Sequence, residues 1–190
     1  MSRAAAADLL RPFRQGDLDG LCGAYAAVNA VRLAARPHCR LRRAACAGLF
    51  AALVDELADA GRLRGFVTGG IGTGKLARLL RRAGNWLDAE HGLRLEFRRP
   101  FRKGGGRDPG ACLRLLAEHL ARAGTAAIVG TADHWTAVSA VSGKRLLLAD
   151  SHDQRYFLLA KALGTDAATS RLHLSSTFLL RIVPPPDAST

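Results

Sequence analysis

Cys22 follows Gly16-Asp17-Leu18-Asp19-Gly20-Leu21 and opens LCGAYAAVNAVRLAA, a stretch apolar almost all round that stops at Arg36-Pro37. Such a stretch predicts a helix buried on most sides over residues 21–35, with the thiol at its start. The unpaired N–H groups and the positive end of the helix dipole favour an anion there, and so the nucleophilic thiolate. Downstream, His134 opens the apolar segment 135–141 and Asp150 closes the next, 146–149. If those segments pair as an antiparallel hairpin turning at Ser142-Gly143-Lys144, the start of one strand lies beside the end of the other. His134 and Asp150 then meet on one rim. The set Cys22, His134, Asp150 supplies a nucleophile, a general base that later protonates the leaving group, and a carboxylate that fixes the imidazole.

These residues must be carried by a fold with two halves. Apolar residues at three- and four-residue steps predict a second helix over 41–60, ended by Gly61, and a third over 75–83. At about residue 92 the period switches to two: Leu93, Leu95 and Phe97 alternate with Arg94, Glu96 and Arg98, as in a half-buried strand. Asp108-Pro109 fits the cap and first position of a helix running to Gly124. Short apolar segments at 126–130, 135–141, 146–149, 156–159 and 177–183 then predict an antiparallel sheet. The expectation is one α+β domain over 1–190: a helical half, 1–91, a sheet half with one helix, 92–183, and a polar tail, 184–190.

With these parts in place the chain resembles the papain-like cysteine peptidases, which have a Gln before a Cys-Gly at the start of a central helix, His-Trp on a strand, and an acid or amide about sixteen residues later. Its size and Asp150 are closest to the small bacterial peptidases that process bacteriocin leaders. The resemblance implies that Cys22 attacks a peptide or isopeptide carbonyl to form an acyl-enzyme, that His134 is the base and Asp150 its orienter, and that Gln15 lines the oxyanion hole. It calls for no cofactor. Gln15 stands seven residues before Cys22 where six is usual, so Asp17 or Asp19 could share that niche, and Asp133 rather than Gly precedes the histidine. Deamidation, transglutamination and acyl transfer need the same triad and differ only in the second nucleophile.

Rival signals are weaker. The stretch 68–74, TGGIGTG, reads as a glycine-rich loop, and with Lys75 it matches the first seven positions of a phosphate-binding loop. Leu76 replaces the Ser or Thr that would hold magnesium, and residues 62–67 make a poor buried strand. The loop fits better beside the cleft, where glycine lets a substrate backbone approach, so Gly69 and Gly70, with Trp135, are the candidate substrate contacts. His38, Cys39 and Cys46 lack zinc spacing, and no metal is expected. Cys39, Cys46 and Cys112 are read as packing residues, not parts of a disulfide framework.

The chain of 190 residues carries 28 Lys and Arg against 16 acids, a net charge of +12. That excess admits a basic nucleic-acid-binding module as the alternative, but aromatic residues are only 6% and do not interleave with the arginines. An acidic protein substrate suits it better, with the basic loop 98–107 as a candidate contact. No apolar run reaches the roughly 18 to 20 residues of a membrane span. Residues 1–10 have no apolar signal region, which makes the cytoplasm, or secretion without a cleaved signal, the expected location.

Overall fold

A computed structural model describes residues 11–16, 19–61, 63–101, 109–159, 162 and 172–184. Residues 1–10, Asp17, residues 102–107, the cap expected at Asp108, and residues 185–190 of the tail lie outside the described residues.

Helix α1, Cys22–Ala35, is built largely from alanine and valine. Short side chains let neighbours close on it from all sides: Ala24, Ala27, Ala30, Val31, Ala34 and Ala35 have no exposed surface. The helices α2 (Arg43–Asp59) and α4 (Thr73–His91) pack on one side of it and the sheet on the other. Helix α4 buries Leu76, Leu79, Leu80, Ala83 and Leu87, and stops where Gly92 takes the left-handed conformation (φ 61°) and returns its N–H to Asp88 and Leu87.

The sheet holds six antiparallel strands in the order β1-β6-β2-β3-β4-β5, namely β1 Arg94–Arg98, β2 Thr125–Gly130, β3 Trp135–Ser142, β4 Arg145–Ala149, β5 Tyr156–Leu158 and β6 His173–Val183. It is covered on both faces. Along β2, Ala126 and Ile128 join the core under α1, while Ala127 and Val129 join a second core with Leu116 of α5 (Pro109–Leu120). Burial on both faces is why β2 reads as an unbroken apolar run. Among the described residues no helix is long and apolar enough to cross a membrane.

The expected α+β class, helices followed by an antiparallel sheet, is the one observed. Three local expectations are corrected. Residues Leu63–Gly69 form a helix, α3, so the first two residues of the expected glycine loop belong to a helix end. The apolar residues Leu63, Phe66 and Val67 of α3 are only half-buried, and seven residues are too few to show a clear period. The third helix expected over 75–83 runs from Thr73 to His91, and the last strand begins at His173 instead of 177. Its first four residues alternate between exposed and half-buried, a pattern too polar to read as strand.

Candidate active site

Cys22 is the first residue of α1 and is 5% exposed. No side chain caps this helix and no acid lies in its first turn, so the positive end of the dipole is left to the thiol. Asp19 shapes the approach instead, accepting the N–H of Leu21 on Oδ1 and that of Gly16 on Oδ2, each at 3.0 Å.

His134 closes the turn between β2 and β3. Its N–H donates to Thr131 Oγ1 at 3.1 Å and its carbonyl accepts the Thr131 N–H at 2.8 Å. Asp133 belongs to this turn as well, its Oδ1 accepting the Thr131 hydroxyl at 3.1 Å. Asp150 follows β4 directly. In the β3–β4 ladder Ser142 pairs with Arg145 across the Gly143-Lys144 turn, and a bulge between Val138 and Ala140 shifts the register so that Ala137 faces Ala149. Past this last pair the chains stay close: Asp150 takes a hydrogen bond from Thr136, and the His152 ring stacks on that of His134. Without the bulge, Asp150 would face Ala137.

The structure thereby brings Cys22, His134 and Asp150 together. His134 Nε2 lies 2.7 Å from Asp150 Oδ2, with the two side chains 17% and 1% exposed. Burial works against a charged imidazole at this position. Hydrogen bonds to Asp150 and Cys22, together with their charges, outweigh it and raise the His134 pKa from 6.5 to about 9. Asp150 takes Nε2, and the Cys22 Sγ lies 3.9 Å from the Gly20 carbonyl. Asp150 is pushed up by burial, but hydrogen bonds from His134, Thr136 and the His152 N–H hold it below its ordinary value. Its Oδ1 accepts that N–H at 2.7 Å. The arrangement favours a protonated imidazole at His134, held on one nitrogen by the Asp150 carboxylate.

Gln15 sits between the two halves. Its N–H donates to the Ser151 carbonyl at 3.1 Å, its Oε1 accepts the Ser151 hydroxyl at 3.4 Å, and its Nε2 donates to the Asp19 carbonyl. An amide NH₂ carries two hydrogens, so this contact leaves one for another acceptor.

The glycine-rich segment borders the start of α1. Gly70, with φ 72°, leads the chain out of α3, and the N–H of Gly20 donates to the Val67 carbonyl. Gly23 faces Ile71 so closely that a Cβ there would lie 2.5 Å from Ile71 Cδ1. Trp135 is 8% exposed and donates its indole N–H to the Ile71 carbonyl at 2.7 Å. It therefore anchors the segment, with little surface left for a ligand. Gly69 opens on free space. Lys75 lies over the Phe66 ring, 5.2 Å from its centre, and a helix precedes this segment where a phosphate-binding loop has a strand.

None of the four cysteines is in a disulfide. Burial raises the pKa of Cys39, and that of Cys46 against the lowering influence of Arg32. Among the described residues no cluster of His, Cys, Asp and Glu could hold a metal. The sequence reading missed Thr136, Ser151 and His152, which surround Asp150. His152 and Ser151 adjoin it in the chain, while Thr136 follows only from the register. Comparison of the chain with protein-family models, curated proteins and solved structures returns no match.

Proposed function

We propose that the protein is a papain-like thiol hydrolase that cleaves a peptide or isopeptide bond in a protein substrate. The observation that carries this reading is His134, whose Nε2 lies 2.7 Å from Asp150 Oδ2 and whose imidazole pKa is raised by both Asp150 and Cys22, the first residue of α1. Cys22 Sγ attacks the carbonyl carbon, and the carbon–oxygen double bond opens to an oxyanion. The backbone N–H of Cys22 and the second Nε2 hydrogen of Gln15 are the donors for that charge; losing one such donor costs on the order of 10²- to 10³-fold in turnover. As the intermediate collapses, His134 gives its proton to the leaving amine and a thioester remains on Cys22. His134 then takes a proton from water, whose oxygen displaces the thiolate and releases the acid. An amine in place of water makes the same site a transferase.

The test is covalent labelling with a peptidyl probe bearing a thiol-reactive warhead, read by intact mass. Wild type is expected to gain one adduct at Cys22 and Cys22→Ala none. Equal labelling of the two would sink the proposal.

A further inference from the structure

Segment 11–14 crosses the surface between α1 and the loop that follows Asp150, and lies along two cavities. The first, of about 570 Å³, is lined by Arg11, Pro12, Phe13, Arg14, Arg32 and Arg43. Four arginines share this wall, and no carboxylate among the described residues lines it. The second, of about 470 Å³, shares Arg11, Pro12 and Arg14 with the first and continues to Arg155. Its carboxylates are already engaged: Asp150 is buried on His134, and Asp153 is paired with Arg14.

The arginines are held in place at some electrostatic cost. Arg32 lies over the Phe13 ring, 5.1 Å from its centre, and donates Nη1 to the Arg11 carbonyl at 2.7 Å. Its Nε is sealed from solvent and has no hydrogen-bond partner among the described residues. Arg43 is the first residue of α2, preceded by Arg42, and no acid lies in that first turn. Cations at the positive end of a helix dipole weaken the helix, and the guanidinium groups of Arg11, Arg32 and Arg43 around one hollow repel one another, Arg14 being paired with Asp153. An anion in the groove relieves both.

We propose that this groove is an exosite for an acidic segment of the protein substrate, an inference that rests on the thiol hydrolase reading. Two joined hollows suit an extended chain better than a single ion, and guanidinium forks pair bidentately with carboxylates. Single-stranded nucleic acid fits less well, because the one aromatic ring of the groove is already covered by Arg32. The exosite adjoins the catalytic loop: Arg14 holds Asp153 and Gln15 holds Ser151, on either side of the chain that leaves Asp150.

The experiment uses the full chain carrying Cys22→Ala, so that binding is read without turnover, and follows fluorescence anisotropy of a labelled octaglutamate peptide and a labelled oligouridine of equal charge. The peptide is expected to bind more tightly than the RNA. Adding Arg11→Glu and Arg43→Glu should weaken the peptide about tenfold or more, as reversal of complementary charges does. Peptide binding that is undetectable, or that the double substitution leaves unchanged, overturns the proposal, as does tighter binding of the RNA lost on the same substitution. A thermal melt checks that the variant is folded. Probe labelling of Cys22 in the Arg11→Glu, Arg43→Glu protein is expected to match wild type. An exosite failure therefore leaves the labelling result standing, and a thiol-site failure leaves the binding result standing.

Discussion

The imidazole of His152 lies stacked on that of His134, with ring centroids 4.5 Å apart and planes 17° from parallel. His152 is exposed, and its own N–H is one of the bonds that hold Asp150 ionised. The stack lays a second flat face against the ring that bonds Asp150. The variant His152→Ala keeps the backbone bond but removes that face. Its kcat/KM is expected to fall several-fold across the pH profile. An unchanged kcat/KM would show that the stack has no part in positioning His134.

The alkaline side of the same profile belongs to His134. With a pKa of about 9, the imidazolium and its ability to protonate a leaving amine are lost as pH rises through that value. Activity is expected to fall on that limb, and Asp150→Asn, which removes the neighbouring negative charge, should move the limb to lower pH as well as slow the reaction. An unmoved limb in Asp150→Asn would contradict the assignment.

Stability follows the same two groups with opposite signs. A histidine raised on folding stabilises fully below its unfolded value of 6.5, and that contribution is lost as pH climbs to about 9. A carboxylate lowered on folding stabilises above its unfolded value of 3.8 and loses that contribution as pH falls below it. Melting temperature is therefore expected to be highest between these unfolded values and to fall on both sides. Asp150→Ala should cost about 3 kcal/mol within this window, as breaking a buried pair typically does, and chemical denaturation measures it.

The two glycines flanking Cys22 separate hard from soft contacts. A Cβ on Gly20 would lie 2.7 Å from Gly70 N and 2.9 Å from Val67 O, both backbone atoms, whereas one on Gly23 meets the Ile71 side chain, which can rotate. Each Ala substitution is expected to destabilise, Gly23→Ala by about 1–3 kcal/mol, the range for overpacking, and Gly20→Ala by more. Equal losses in melts of the two variants would argue against the close packing of α3 on this turn.

Trp135→Phe tests the anchor of the glycine-rich segment. It removes the indole N–H and leaves the Ile71 carbonyl unsatisfied, at a cost of about 1–3 kcal/mol. Amide exchange of Ile71 and Gly72 is expected to accelerate. An unchanged rate there would mean that the segment is held by other contacts.

Much of this arrangement was legible in the sequence because it is local. The turn residues at 142–144 between two short apolar segments announced the hairpin that carries His134 and Asp150, and the alanine-rich run announced α1. What was hidden depends on register. The bulge between Val138 and Ala140 has no local signature, yet it sets Ala137 opposite Ala149 at the end of the ladder from which Asp150 and His152 follow. Helix α3 was hidden for another reason: its seven residues are too few to show a clear period. The arginine groove is assembled from segment 11–14, one turn of α1 and the start of α2, whose proximity no spacing in the sequence records.

The strand order β1-β6-β2 has a consequence for synthesis at the ribosome. Strand β6 comes last in the chain of all the described strands, yet it occupies an inner place, with Arg94 of β1 paired to Val183 and Thr125 of β2 to Arg181. Until β6 emerges, β1 lacks the strand it pairs with and β2 exposes a free edge, although Cys22, His134 and Asp150 have all been made. Loop closure over such separations is slow, and an unpaired edge invites association with other chains. A nascent chain therefore carries every reactive group before it has the sheet that holds them in place, and completion of β6 is the step that couples translation to a finished scaffold.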